Sequence, residues 1–367
     1  MMRSVILSLR SVRPVPHIGG IVEAEDVLVS CLGARLHTVE PASTALGRAA
    51  LASGHARRLI TAGGLAHPFR IVPDPADEPP ADLAVLLVSD VHDLTMMMGA
   101  EGWNRLADQV VVHVMEIGRR ELRLYPDTFA RLGRHVDHLY YCFSAIPPER
   151  LRRHRVSTVA SVPGMVDVLR FPERRHEDRA IDVVNFGRRD RGQHQTLLSW
   201  ADRTDRFYDY DTGPLQQVTS VAEHRRHFVQ RLTRSRLVVA NLARFDEPDR
   251  RRGGESVLGL RYWEAMAAGC AVVGEHPPGL ATAHPDVAAS GLVTFPVGSA
   301  RLPPDVERVL EDPAESGRLG ARARRVALLG HDVAHRWRQI EARAGLAPAP
   351  GISERIARLE AAAGPAG

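Results

Sequence analysis

The chain contains no lysine; all 48 of its Lys-plus-Arg residues are arginine. A Schiff-base lysine and the lysine of a phosphate-binding P-loop are therefore excluded. Any phosphate must be held by Arg, His, hydroxyls or backbone N–H groups. Cysteine is scarce: Cys31, Cys142 and Cys270 are odd in number and far apart, so neither a disulfide framework nor a zinc site is indicated. Aromatics make up only 5% of the chain, and a single-strand nucleic-acid binder needs stacking platforms. No apolar run approaches the ~18 residues of a membrane span. The opening stretch, MMRSVILSLRSVRP, has too short an apolar core for a signal peptide. A cytoplasmic protein without an integral membrane segment is expected.

What is present fits two globular domains: 367 residues, 44% hydrophobic and 25% charged. Abundant Ala, Gly and Pro beside all-Arg basic residues suits a GC-rich bacterial genome. The formal charge of +4 is small. The Arg-rich runs 152–155 and 250–252 read as solvated surface rather than as a mark of an anionic partner.

Continuous apolar runs alternate with helical stretches. SVILSL, LAVLLVSD, VVVHVMEI and HLYYCFS read as buried strands, with GWNRLADQ and PPERLRRH as short helices. TALGRAALASGHARRLI reads as a helix, and IVEAEDVLVSCLGARLHTVE is ambiguous. VASVPGMVDVLRFPERRHEDRA interrupts the pattern, which then restarts with AIDVVNFG, RFYDYD, RLVVANL and GLVTFPV as strands. A parallel α/β pattern that runs twice predicts two doubly wound domains. The expected division is 1–168 and 169–345, with 346–367 as a weak helix or flexible tail. Ligands in such sheets bind beyond the carboxyl ends of the strands, here in a cleft between the domains.

In GLRYWEAMAAGCAVVG, residues 259–274, Leu260, Trp263 and Ala267 recur at helical spacing, and Gly269 and Cys270–Val273 make a tight turn and a strand. Packing alone does not account for Glu264.

Three stretches resemble the GT-B glycosyltransferases, the group 1 or family 4-like members in particular. VSTVASVPGMVDVLRF is similar to their inter-domain segment. IDVVNFGRRDRG is similar to the first strand of their donor domain, and ESVLGLRYWEAMAAGCAVVGE to their donor-binding helix and strand. The resemblance runs from about 155 to 345 and implies two Rossmann-like domains facing across a cleft, the first binding the acceptor and the second a nucleotide-sugar. It also implies that no metal or other cofactor is needed.

Physical chemistry supports these roles. A helix N-terminus at Gly259 and Leu260 suits a pyrophosphate. A carboxylate accepts hydrogen bonds from both hydroxyls of a ribose diol, and the resemblance assigns this to Glu264. Relatives reach the donor phosphates with Arg and Lys near a strand-ending glycine, here Gly187. Without lysine, Arg188, Arg189 or Arg191 must serve. Arg261 either faces phosphate or pairs with a neighbouring carboxylate. Many retaining members carry two glutamates with seven residues between them. Here Glu255 and Glu264 have eight between them, and Ser256 takes the first position when the helix is aligned, so sugar, acceptor and stereochemistry stay open.

An acceptor hydroxyl needs a base or a front-face mechanism. Glu116 ends a strand and suits the base. His17 follows the first strand and is the alternative base, and Asp90 and Asp93 end another strand as acceptor-side candidates. SDVHD lacks a third ligand cluster for a metal. Two other readings carry less: a nucleotide-sugar epimerase of the same architecture, whose extra catalytic groups are not recognisable here, and an Arg-rich nucleic-acid binder.

Overall fold

The structure, a computed structural model, describes residues 2–13, 18–42, 68–73, 79–118, 126–144, 148–153, 156–211, 220–243, 245–246 and 258–365. The chain divides into two compact units. The first is Met1–Pro163 with Arg336–Arg355; the second is Gly164–His335 with Ile356–Gly367.

The first unit holds a seven-stranded sheet, ordered β3-β2-β1-β4-β5-β6-β7. Its strands are β1 (Ser4–Ser8), β2 (Arg35–Pro41), β3 (Phe69–Val72), β4 (Ala81–Asp90), β5 (Ala107–Ile117), β6 (His138–Ser144) and β7 (Thr158–Ser161). All neighbours are parallel except β2 and β3. Val5, Ile6 and Leu7 of β1 and Leu83 to Leu86 of β4 are fully buried. Strands covered on both faces need unbroken apolar runs, which is why these segments do not alternate. The ambiguous stretch after β1 resolves into the helix Gly19–Leu32 followed by β2. The proposed helix over residues 44–60 lies outside the described residues.

The second unit holds a five-stranded parallel sheet, ordered β12-β11-β10-β8-β9. These strands are β8 (Ile181–Asn185), β9 (Tyr208–Tyr210), β10 (Ser235–Val239), β11 (Ala271–Gly274) and β12 (Val293–Thr294). The strand order reverses at β1/β4 in one sheet and at β8/β10 in the other. Both units are therefore doubly wound, the sheet plan expected of each GT-B domain.

Several elements differ from the sequence reading. GWNRLADQ supplies only one 3-10 turn, Trp103–Arg105, before β5 begins. VHDLTMMM forms an unforeseen helix, Val91–Met98, capped by Asp90 and burying Leu94 and Met96 to Met98. Another unforeseen helix is Pro126–His135. GLVTFPV contributes just two residues of strand. The first unit ends within the Pro163–Gly164 step rather than at 168, and residues 336–355 return to it. Trp337, Ile340 and Ile352 are fully buried there, and Arg343 Nη1 donates to the Ser161 carbonyl at 2.6 Å. Of the two readings of the closing stretch, weak helix or flexible tail, the structure shows a 14-residue helix, Pro350–Ala363. Burial of an apolar stripe fixes it, as it does most short helices in water.

Candidate functional site

The second unit concentrates its unusual chemistry at the carboxyl ends of β8 and β10, its topological switch point. Beyond β8 the chain turns at Gly187, whose φ is +69°. Only glycine takes that conformation without cost. The Gly187 N–H donates to Asp211 at 2.6 Å, and a Cβ at this position would overlap the Arg261 guanidinium. Burial pulls Arg261 down to about 10, while Glu264 and other carboxylates work the other way. Its Nη1 donates to the Arg188 carbonyl at 2.9 Å, and its guanidinium lies 5.2 Å from the centre of the Phe186 ring. Arg261 thus ties the start of one helix to the Gly187 turn.

That helix is Leu260–Ala267. Gly259 caps it in extended conformation, with no side-chain cap. Its first N–H groups gain no capping side chain from Gly259, as an anion-binding helix start requires. Tyr262 to Ala267 are all buried, so the helix is held from every side. The small residues that follow let the chain reverse into β11. At the end of β11, a Cβ on Gly274 would overlap the Ala240 carbonyl. Beside it, the buried amides of Gln193 and Asn241 bond reciprocally, at 3.1 and 2.7 Å.

Glu264 is buried and paired with Arg225, Nη1 to Oε1, at 2.6 Å. Among the predicted residues, Arg188 is exposed and pairs with Asp246 at 3.1 Å. Arg189 donates to the Asp211 carbonyl and lies 5.3 Å from the centre of the Tyr210 ring. Burial acts to raise the Asp211 carboxyl, but bonds from Arg231 and the Gly187 N–H hold it below the usual range. The structure therefore brings together Gly187, Arg188, Arg189, Gly259, Leu260, Arg261 and Glu264. Sequence reasoning missed Arg225, Asp211 and Arg231. Their only signal was position: an Arg-rich helix ahead of β10 and an aspartate after β9.

In the first unit, Asp90 accepts from the Asp93 N–H at 2.9 Å as a helix cap. Asp93 is buried and pairs with Arg13 at 2.9 Å. Both have structural duties there. Glu116 is half-buried at the end of β5, in register with Asp90 of β4. A cluster absent from the sequence reading lies beyond β1. Ser8 Oγ donates to buried Glu25, and Arg10 bonds both Glu25, at 2.9 Å, and Asp26, at 2.8 Å. Burial pushes the Glu25 carboxyl up to about 7, against the pull of Ser8 and Arg10. His17, Glu255 and Ser256 lie outside the described residues. Among the described residues, no group of three or more His, Cys, Asp or Glu could hold a metal, and no helix is long and apolar enough to cross a membrane.

The glycosyl transferase-like family matches residues 175–342. Solved structures with a similar fold include AviGT4, described as a glycosyltransferase involved in avilamycin A biosynthesis. It is 14% identical with a TM-score of 0.43, over 94% of this chain and 97% of that one. SnogD from Streptomyces nogalater is 15% identical with a TM-score of 0.39, over 99% and 100%. TarM is 8% identical with a TM-score of 0.40; the match covers 71% of this chain and 54% of TarM, so this chain spans about half of TarM's length. No curated protein matches the sequence. The glycosyl transferase-like match spans the Gly187 turn, the helix Leu260–Ala267 and the buried Glu264.

Proposed function

We propose that the protein transfers a sugar from a nucleotide-sugar to an acceptor hydroxyl in the bacterial cytoplasm, without a metal or other cofactor. One observation carries the proposal. Arg261 joins the Gly187 turn to the Gly259-capped start of the helix Leu260–Ala267 at the switch point of the matched domain. Helix N–H groups and a glycine turn suit a diphosphate, and Arg188 and Arg189 stand beside that turn to supply the charge a lysine gives elsewhere. Glu264, on the same helix, accepts from the ribose diol. The acceptor oxygen forms a bond to the anomeric carbon as the bond from that carbon to the donor phosphate breaks. The nucleoside diphosphate departs with the electron pair, and the acceptor proton passes to a base, which we assign to Glu116. The acceptor is a natural product, a glycan or a protein.

The test is thermal unfolding with UDP, GDP, ADP and dTDP. At ~100-fold excess over Kd, linkage adds roughly 2.7 kcal/mol to the stability of a protein that binds only when folded. A clear upward shift with one of the four is expected. A folded sample that responds to none contradicts the donor-site assignment.

A further inference from the structure

The helix Val221–Thr233, which the sequence also reads as a helix, meets the donor side at three places that no motif foretold. Arg225 pairs with Glu264 at 2.6 Å, with both side chains buried. The Arg225 guanidinium also lies 4.6 Å from the centre of the Phe228 ring. Phe228 meets Phe186 edge to face, 4.7 Å between centroids, and Phe186 carries Arg261 on its ring. One helical turn on, Arg231 bonds Asp209 at 2.8 Å and Asp211 at 2.7 Å, and Asp211 accepts the Gly187 N–H. Residues 225, 228 and 231 recur at i, i+3 and i+6 and so lie along one side of the helix. A single helix thus braces both Glu264 and the Gly187 turn.

We infer that Arg225 is a positioning residue for the donor: it fixes the Glu264 carboxylate in the orientation and charge state in which that group takes a ribose diol. The inference rests on the donor reading above and deepens it. A carboxylate has about four acceptor positions, and the Arg225 N–H fixes one Glu264 oxygen. The ring contact on Phe228 holds Arg225 itself, since planar guanidinium groups stack where an ammonium does not. Arg261, three residues before Glu264 on the same helix, adds a second cation near the carboxylate. Burying a lone carboxylate is costly, and a paired one is retained only with good geometry. That explains why an arginine sits 39 residues away in sequence but within hydrogen-bond distance.

The test is a double-mutant cycle of nucleotide binding by calorimetry on the full chain. The probe is whichever of UDP, GDP, ADP and dTDP binds the wild type. Arg225→Met and Glu264→Gln should each weaken binding by about 10-fold or more, as loss of a charge-assisted hydrogen bond does. The double variant should lose little beyond either single, because Arg225 acts through Glu264. Affinity of Arg225→Met should fall as pH is lowered, since a carboxylate stripped of its cation takes up a proton more readily. Arg225→Lys should restore the flat profile. Urea midpoints are measured alongside, and if Arg225→Met does not fold, the cycle is run with Arg225→Gln. Losses that simply add, or a folded Arg225→Met variant with wild-type affinity and a flat pH profile, overturn the inference while leaving the donor site standing. A wild-type protein that binds none of the four nucleotides removes both.

Discussion

The carboxyl ends of the two sheets are built from different materials. In the second unit, the end of β8 and β10 is made of glycines and arginines. Gly187 and Gly274 admit backbone or guanidinium where a side chain would collide, and Arg188, Arg189, Arg225 and Arg261 surround the helix start. In the first unit, the end of β1 and β4 gathers carboxylates, Glu25, Asp26, Asp90 and Asp93, two of them buried, with Arg10 and Arg13 paired to three of the four. Backbone N–H groups and cations suit a diphosphate. Carboxylates suit hydroxyls and protons. On the proposed reading the second unit is the donor side and the first the acceptor side, and the contrast yields predictions of graded size.

The largest effect concerns the backbone of the second unit. Gly274→Ala sets a methyl against the Ala240 carbonyl, with no flexible side chain to yield. It should destabilise the fold by about 3 kcal/mol or more, read from urea midpoints. A near-wild-type midpoint would show that the glycine end is not tightly built.

Next comes the carboxylate side. Glu116→Gln should lower turnover by ~100-fold with nucleotide affinity unchanged. Steady-state kinetics beside calorimetry separates the two. Turnover near that of the wild type would remove Glu116 as base and leave a front-face route, in which the departing phosphate takes the proton.

A smaller effect is the pH response of each unit. Glu25 is raised from 4.5 to about 7 in the fold. Its protonated form is the one the fold favours, so its contribution is full below 4.5 and is lost as pH rises through about 7. Glu25→Gln should flatten that part of the stability profile. Asp286 in the second unit behaves in the opposite sense. Its bond to His331, at 2.8 Å, holds it down at about 2. Its contribution is present above 3.8 and is lost as pH falls through about 2. Hydrogen exchange followed peptide by peptide across pH separates the two trends. Parallel responses in both units would break the contrast.

Much of this architecture is legible in the sequence, because buried parallel strands are unbroken apolar runs and the GLRYWEAMAAGC helix has both an apolar periodicity and a stop. What stayed hidden is long-range pairing. Glu264 reads as a carboxylate without a packing reason because its partner, Arg225, is supplied by another helix. Glu25 reads as an ordinary helix glutamate because only folding brings Ser8 and Arg10 onto it. The closing helices show their amphipathic period but not which unit they cover. The helix Val91–Met98 follows its strand without a break, and its Asp90 cap looked like the end of the strand.

The central claim is that the glycine-and-arginine end of the second unit binds the nucleotide. Hydrogen exchange with and without the stabilising nucleoside diphosphate tests it most directly. Slowed exchange is expected in peptides covering Gly187–Arg191 and Gly259–Glu264, with little change in Val5–Arg10. Slowing confined to the first unit, or no slowing in either second-unit segment while the nucleotide is bound, would contradict it.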